Sequence, residues 1–153
     1  MVVLFVCTGN TCRSPMAELF FRAELARRQM SGVTVKSAGL AAYPNTPISE
    51  NAEKVLNENN ISGEKFRSTR AGVELLDSCD LIITMTALHR QTLLNALPDL
   101  AKKTFTLLEI SDGGDVPDPY GGSVDDYRNT FEIMRPALIS WAEHIEKKYN
   151  NLI

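Results

Sequence analysis

Cysteine, histidine and tryptophan are scarce in this chain of 153 residues, at three, two and one copies. Cys7, Cys12 and Cys79 form an odd, sparse set, so no disulfide scaffold is implied; in a reducing compartment each thiol reads as reactive, redox-active or buried. His89 and His144 have no partner at metal-ligand spacing, so neither a metal nor another cofactor is expected; both fall on predicted helices and read as surface or packing residues away from the chemistry. No apolar run approaches the ~20 residues that span a bilayer, and no basic leader precedes the first apolar stretch, which predicts a soluble cytoplasmic protein with no membrane partner. There is no block of Lys and Arg and no basic-aromatic interleaving, and the net charge is −3, so nucleic acid is not an expected partner. Without repeats, low-complexity tracts or a Ser/Gly-rich linker, the 44% hydrophobic and 23% charged composition is that of one globular domain, residues 1–153, expected to act as a monomer.

Apolar, β-branched runs alternate with amphipathic stretches. Strands are predicted over 2–6, 33–36, 81–85 and 104–107, and helices from 15 to about 30 and over about 47–59, 71–78 and 88–97. A last helix starts after Ser123, whose spacing to Asp126 fits a capping box, and runs to about 148 with a kink expected before Pro136. Strands joined by helical crossovers pair in parallel, so the expected fold is α/β: a single doubly wound four-stranded parallel sheet with helices on both faces.

The segment Val6-Cys7-Thr8-Gly9-Asn10-Thr11-Cys12-Arg13-Ser14-Pro15 joins the first strand to a helix signalled by Ser14 as cap and Pro15 in its first turn. In such sheets ligands bind at the carboxyl ends of strands, and helix N-termini present unpaired amides to anions. Gly9 and Asn10 tolerate left-handed backbone, so residues 8–14 can curl their amides around a tetrahedral oxyanion; Thr8, Gly9, Asn10, Thr11, Cys12 and Ser14 are the candidate phosphate-binding residues. Arg13 returns on the first helical turn with a planar fork suited to two phosphate oxygens. A thiol at a helix N-terminus, near an arginine and a hydroxyl such as Ser14, is held largely as thiolate at neutral pH. Cys7 is therefore the candidate nucleophile, with Arg13 beside it. No Lys-Ser/Thr follows a Gly-x-x-x-x-Gly pattern, which excludes a nucleotide P-loop.

Phosphoryl transfer to Cys7 needs an acid for the leaving group and then a base for water. Asp118 is the leading candidate, between Pro117 and Pro119 in the non-periodic stretch 110–124. Asp115 is a weaker one; Asp125 and Asp126 fit cap and dipole roles in the first turn of the last helix. Taken alone, Asp118-Pro119-Tyr120-Gly121-Gly122 is turn chemistry; its pairing with the Cys7 segment makes it a candidate site.

Together these segments resemble the low-molecular-weight protein-tyrosine phosphatases, with Ser37-Ala38-Gly39 after the second strand as a third point of likeness. The resemblance implies a metal-independent protein phosphatase with phosphorylated proteins as substrates. Cys7 would form a phosphocysteine, Arg13 would clamp phosphate, Ser14 would stabilise the thiolate, Asn10 would shape the loop, and Asp118 would act as acid and then base. It makes Cys12 a partner for a reversible disulfide with Cys7, although Cys12 can equally pack beneath the loop. Thr11, where tyrosine-specific members commonly carry an aliphatic residue, resembles the protein-arginine phosphatase branch, as do residues 113–116 and 118–123. Thr11 offers room and a hydroxyl to a guanidinium, and Tyr120 forms an aromatic wall for either phosphoarginine or phosphotyrosine. Two departures stand out: some relatives have a histidine where this chain reads Phe66-Arg67-Ser68-Thr69, and tyrosine-specific members often have a tryptophan near Tyr43.

Three other readings compete. Arsenate reductases share the loop but need further cysteines after the third strand, where this chain has Met85-Thr86-Ala87-Leu88. A phosphocysteine carrier must keep its phosphate, whereas Arg13 and Asp118 favour hydrolysis. A silent phosphopeptide-binding module would release no phosphate from a generic aryl phosphate.

Overall fold

A strand reading Val-Val-Leu-Phe-Val has no face that water can cover, and β1 (Val2–Cys7) lies inside the sheet, between β2 (Thr34–Gly39) and β3 (Leu81–Thr84). β4 (Thr104–Thr106) pairs with the outer side of β3, and all three pairings are parallel. The expected four-stranded doubly wound sheet is present in the order β2-β1-β3-β4. The computed structural model describes residues 1–151; positions 152 and 153 of the expected domain lie outside the described residues.

Side-chain alternation along β1 decides what each face receives. Val3, Phe5 and Cys7 point into one apolar cluster, shared with α1 (Arg13–Arg27), α2 (Glu50–Glu58) and α5 (Val124–Asn150). Leu4 and Val6 point into the other, which holds Leu76 of α3 (Val73–Ser78), Leu93 of α4 (Ala87–Ala96) and Leu100 of the 3-10 helix Pro98–Lys103. The first cluster is the larger, built around the fully buried Phe5, Phe21 and Phe131, each worth roughly 1.5–3 kcal/mol of transfer free energy. The parity that buries Val3 and Phe5 also aims Cys7 toward α1 instead of α4.

Several boundaries differ from the sequence reading. β2 runs through Ser37, Ala38 and Gly39, which the sequence places after the strand; their ladder to Phe5, Val6 and Cys7 keeps them in the sheet. Gly39 is required there, since a Cβ would stand 2.6 Å from the Thr8 carbonyl oxygen and 2.9 Å from the Asn10 nitrogen. Leu107, expected to end a strand, opens the 3-10 helix Leu107–Ile110 under a capping box from Thr106 and Glu109. The Ser123–Asp126 capping box is present, and α5 continues through Pro136 as one helix. The crossovers from β1 to β2 and from β2 to β3 leave in opposite directions, so a cleft opens at the carboxyl ends of β1 and β3, where such folds place their ligands.

Candidate active site

Cys7 is the last residue of β1, and the chain turns directly from it into α1. The turn is made by Asn10, at φ 55, and not by Gly9, which has no positive φ. A left-handed asparagine persists where its surroundings hold it, and here its amide is fully engaged. Nδ2 donates to Ser14 Oγ at 2.8 Å and to Ser37 Oγ at 2.9 Å, while Oδ1 accepts the Thr69 amide at 2.8 Å. The 66–69 segment thus supports the loop through a backbone amide, without the histidine that some relatives carry.

The Asn10 amide occupies a lone pair of Ser14, which leaves that hydroxyl proton for the Cys7 sulfur 2.8 Å away. The Asn10 backbone amide donates to the same sulfur at 3.3 Å. Ser14 was expected to cap α1. Instead the helix begins at Arg13 with Cys12 as N-cap and no side-chain cap bond, because Ser14 is committed to Cys7 and Asn10. At the far end of the network Ser37 donates to Glu18 Oε2 at 2.5 Å; burial pushes the Glu18 carboxyl up, against the Ser37 and Arg22 contacts.

Cys7, Gly9, Thr11, Arg13 and Asp118 line a cavity of about 330 Å³ at the mouth of this loop, with Tyr43 and Tyr120 on its rim. Arg13 is buried and donates through Nη1 to the Val116 carbonyl at 3.2 Å, which fixes the fork, while Nη2 lies 3.5 Å from Asp118 Oδ2. Asp118 is exposed and turned by the Tyr120 amide, which donates to Oδ1 at 3.1 Å. The structure therefore brings Asp118 to Cys7 and Arg13, from more than a hundred residues further along the chain. A larger cavity, about 740 Å³, adjoins Glu18, Ser37 and Thr69 but is lined by no cysteine.

Other expected residues fall differently. Asp115 does not line the cavity; its Oδ1 accepts the Ala87 amide at 2.8 Å. Asp126 serves the α5 cap. Cys12 is buried in the wall of the same cavity, its sulfur 3.2 Å from the Tyr127 hydroxyl, and all three cysteines are free thiols. Cys79 belongs to the apolar cluster on the opposite face from Cys7, and burial raises its thiol. Among the described residues no cluster of three or more His, Cys, Asp or Glu side chains is arranged to hold a metal, and no helix is long and apolar enough to cross a membrane.

His89 corrects the sequence reading. It is buried in the first turn of α4, and its Nε2 lies 2.8 Å from Thr8 Oγ1 in the Cys7 loop. The topology carried a signal for it: β3 neighbours β1, so the helix that follows β3 starts beside the loop that follows β1. Burial first, then the Arg13 guanidinium, pushes the imidazole from its ordinary 6.5 down to about 4. An unfolded chain takes up that proton below 6.5 and the folded one only near 4, so stability falls as pH drops through this window. Thermal melts of the native protein are expected to show this fall, with a shallower slope in His89→Gln. An unchanged slope would assign the loss to paired carboxylates such as Glu24 and Glu58, both held low chiefly by hydrogen bonds from arginines.

The family whose sequence model is described as Low molecular weight phosphotyrosine protein phosphatase matches residues 2–151. The chain is 40% identical over 149 residues to a protein-arginine-phosphatase of Bacillus subtilis (strain 168), covering 96% of this chain and 98% of that one. It is also 40% identical over 151 residues to the low molecular weight protein-tyrosine-phosphatase PtpA of Staphylococcus haemolyticus, covering 97% and 96%. The solved structure of YwlE arginine phosphatase, as a cysteine-to-serine mutant with a phosphorylated active site serine, superposes with a TM-score of 0.91 at 38% identity over 96% of this chain and 97% of that one. With a matching sequence model, near-complete coverage and the same sheet, this chain belongs to the low molecular weight phosphotyrosine protein phosphatase family.

Proposed function

We propose that the chain is a single-domain protein phosphatase that hydrolyses phosphoarginine in cytoplasmic proteins through a phosphocysteine on Cys7. The observation that carries this reading is the Cys7 sulfur, held by Ser14 and the Asn10 amide at the floor of a cavity that Arg13 and Asp118 also line. The loop amides and the Arg13 fork hold the phosphoryl oxygens. The Cys7 sulfur attacks phosphorus; an S–P bond forms, the P–N bond breaks, and Asp118 gives its proton to the departing guanidine nitrogen. Asp118, now a carboxylate, takes a proton from water, whose oxygen attacks phosphorus; the S–P bond breaks, releasing inorganic phosphate and the thiolate. Every protein group returns to its starting state.

Preference for arginine is supported by Thr11, half-buried in the cavity wall, and by likeness to the arginine phosphatases. A β-hydroxyl can accept a hydrogen bond from a guanidinium, which an aliphatic side chain cannot. Phosphotyrosine is the second reading, favoured by the exposed rings of Tyr43 and Tyr120 on the rim, which suit stacking. Cys12 is proposed as the resolving thiol: peroxide oxidises Cys7 to a sulfenic acid, which loses water as the Cys12 sulfur closes a disulfide.

Steady-state rates on phosphoarginine and phosphotyrosine peptides test the assignment. The phosphoarginine peptide is expected to be turned over faster, and Thr11→Ile is expected to move the ratio of kcat/KM values toward phosphotyrosine by roughly 10- to 100-fold. Much faster turnover of phosphotyrosine by the native enzyme would overturn the arginine preference. The competing arsenate reductase reading is disfavoured by Cys79, which precedes β3 and packs on the other face of the sheet from Cys7.

A further inference from the structure

The Asp118 carboxyl sits in an irregular segment, so its height above Cys7 has to be set by contacts outside that segment. Two of them go to the junction between β3 and α4. The Val116 amide donates to the Met85 carbonyl at 3.0 Å, and the Ala87 amide donates to Asp115 Oδ1 at 2.8 Å. Ala87 is the first residue of α4, and its amide has no partner inside the helix, where the positive end also favours a carboxylate. The same helical turn carries His89, which holds Thr8 of the nucleophile loop. One helix end therefore grips both halves of the site, and Arg13 on the Val116 carbonyl closes the ring between them.

We propose that Asp115 is a positioning residue: docked on the N-terminus of α4, it registers the acid segment so that Asp118 stands over the leaving group bound in the Cys7 loop. The proposal rests on the assignment of Cys7 and Asp118 made above. Asp115 does not reach the substrate; it lies outside the cavity wall, and its Oδ1 is occupied by an amide donor. Its side chain reaches across 28 positions of sequence to Ala87, a separation that a local turn would not span. A carboxyl group displaced by about 1 Å from a proton-transfer geometry costs up to roughly a hundredfold in rate, so a short tether at this point has a large lever on catalysis.

The test is pre-steady-state phosphorylation of the enzyme by two aryl phosphates. Nitrophenyl phosphate releases a stable phenolate with little help from an acid, whereas phenyl phosphate needs its leaving oxygen protonated. Asp115→Ala is expected to slow phosphorylation by phenyl phosphate roughly 10- to 100-fold more than by nitrophenyl phosphate, with little change in KM. Asp115→Asn keeps an amide oxygen to accept from Ala87 and is expected to restore most of the rate. Asp115→Glu keeps acceptor and charge on a longer arm, and is expected to show an intermediate loss confined to phenyl phosphate. Equal losses on both substrates, no loss in Asp115→Ala, or an Asp115→Asn as impaired as the alanine variant would each overturn the proposal. Failure of the underlying assignment reads differently: native enzyme inert on both aryl phosphates, or full turnover in Cys7→Ser.

Discussion

Replacing Cys7 by serine is expected to abolish steady-state phosphate release, a loss of roughly 10⁴-fold or more, in the range of nucleophile deletions elsewhere. The substitution leaves the cradle intact. Asn10 keeps its bonds to Ser14, Ser37 and Thr69, and Arg13 stays anchored on Val116. Binding of inorganic phosphate should therefore survive, measurable by calorimetry or by competitive protection against thermal unfolding. A serine oxygen placed where the sulfur sits is a poorer nucleophile and a far poorer leaving group, so any phosphoryl group it captures should remain. Mass spectrometry of the variant after incubation with substrate should show no more than one phosphoryl group per chain, on Ser at position 7. Continued turnover by Cys7→Ser, or loss of phosphate binding together with turnover, would refute the phosphocysteine route.

The second large effect is expected at Asp118. Asp118→Asn removes a proton donor but keeps a side chain of the same size beside Arg13, so the expected loss is about 10²- to 10⁴-fold in formation of the intermediate, the usual contribution of a positioned acid. The loss should grow with the basicity of the leaving group: modest for a nitrophenolate, large for phenol, and largest for a guanidine nitrogen that cannot depart as an anion. Because the same carboxylate activates water in the second step, release of phosphate from the intermediate should also slow. Rapid-quench measurement separates the two steps. A burst with native rates in the variant would remove Asp118 from the mechanism, and the exposed carboxylate would then only accompany Arg13 at 3.5 Å.

Some of this site could be read before any fold was known. The Cys7-to-Ser14 segment places nucleophile, loop former, cation and hydroxyl within one strand-to-helix turn, so its geometry is local and short-range chemistry specifies it. Asn10 illustrates where that reading stopped: its tolerance of left-handed backbone was legible, but the bonds that hold it there come from Ser37 and Thr69. Ser14 carries two expected roles, and only one is present: its hydroxyl meets the Cys7 sulfur, as the loop chemistry predicts, and therefore makes no cap bond to α1. His89 reads as a packing residue because nothing in its neighbours along the chain marks it, and its contact with Thr8 comes from the fold.

The strand parity of residues 3, 5 and 7, the α/β rhythm and the curled loop were specified locally, because backbone periodicity and turn stereochemistry act over a few residues. Asp118 could be nominated from sequence, but its arrival beside Arg13 depends on how the chain is wound. The contact of His89 with Thr8, 81 positions away, and the docking of Asp115 on α4 followed from β3 lying next to β1. Sheet order sets which helix ends share a cleft, and that order is chosen by burial of both faces together, a sum over the whole chain that no single segment encodes.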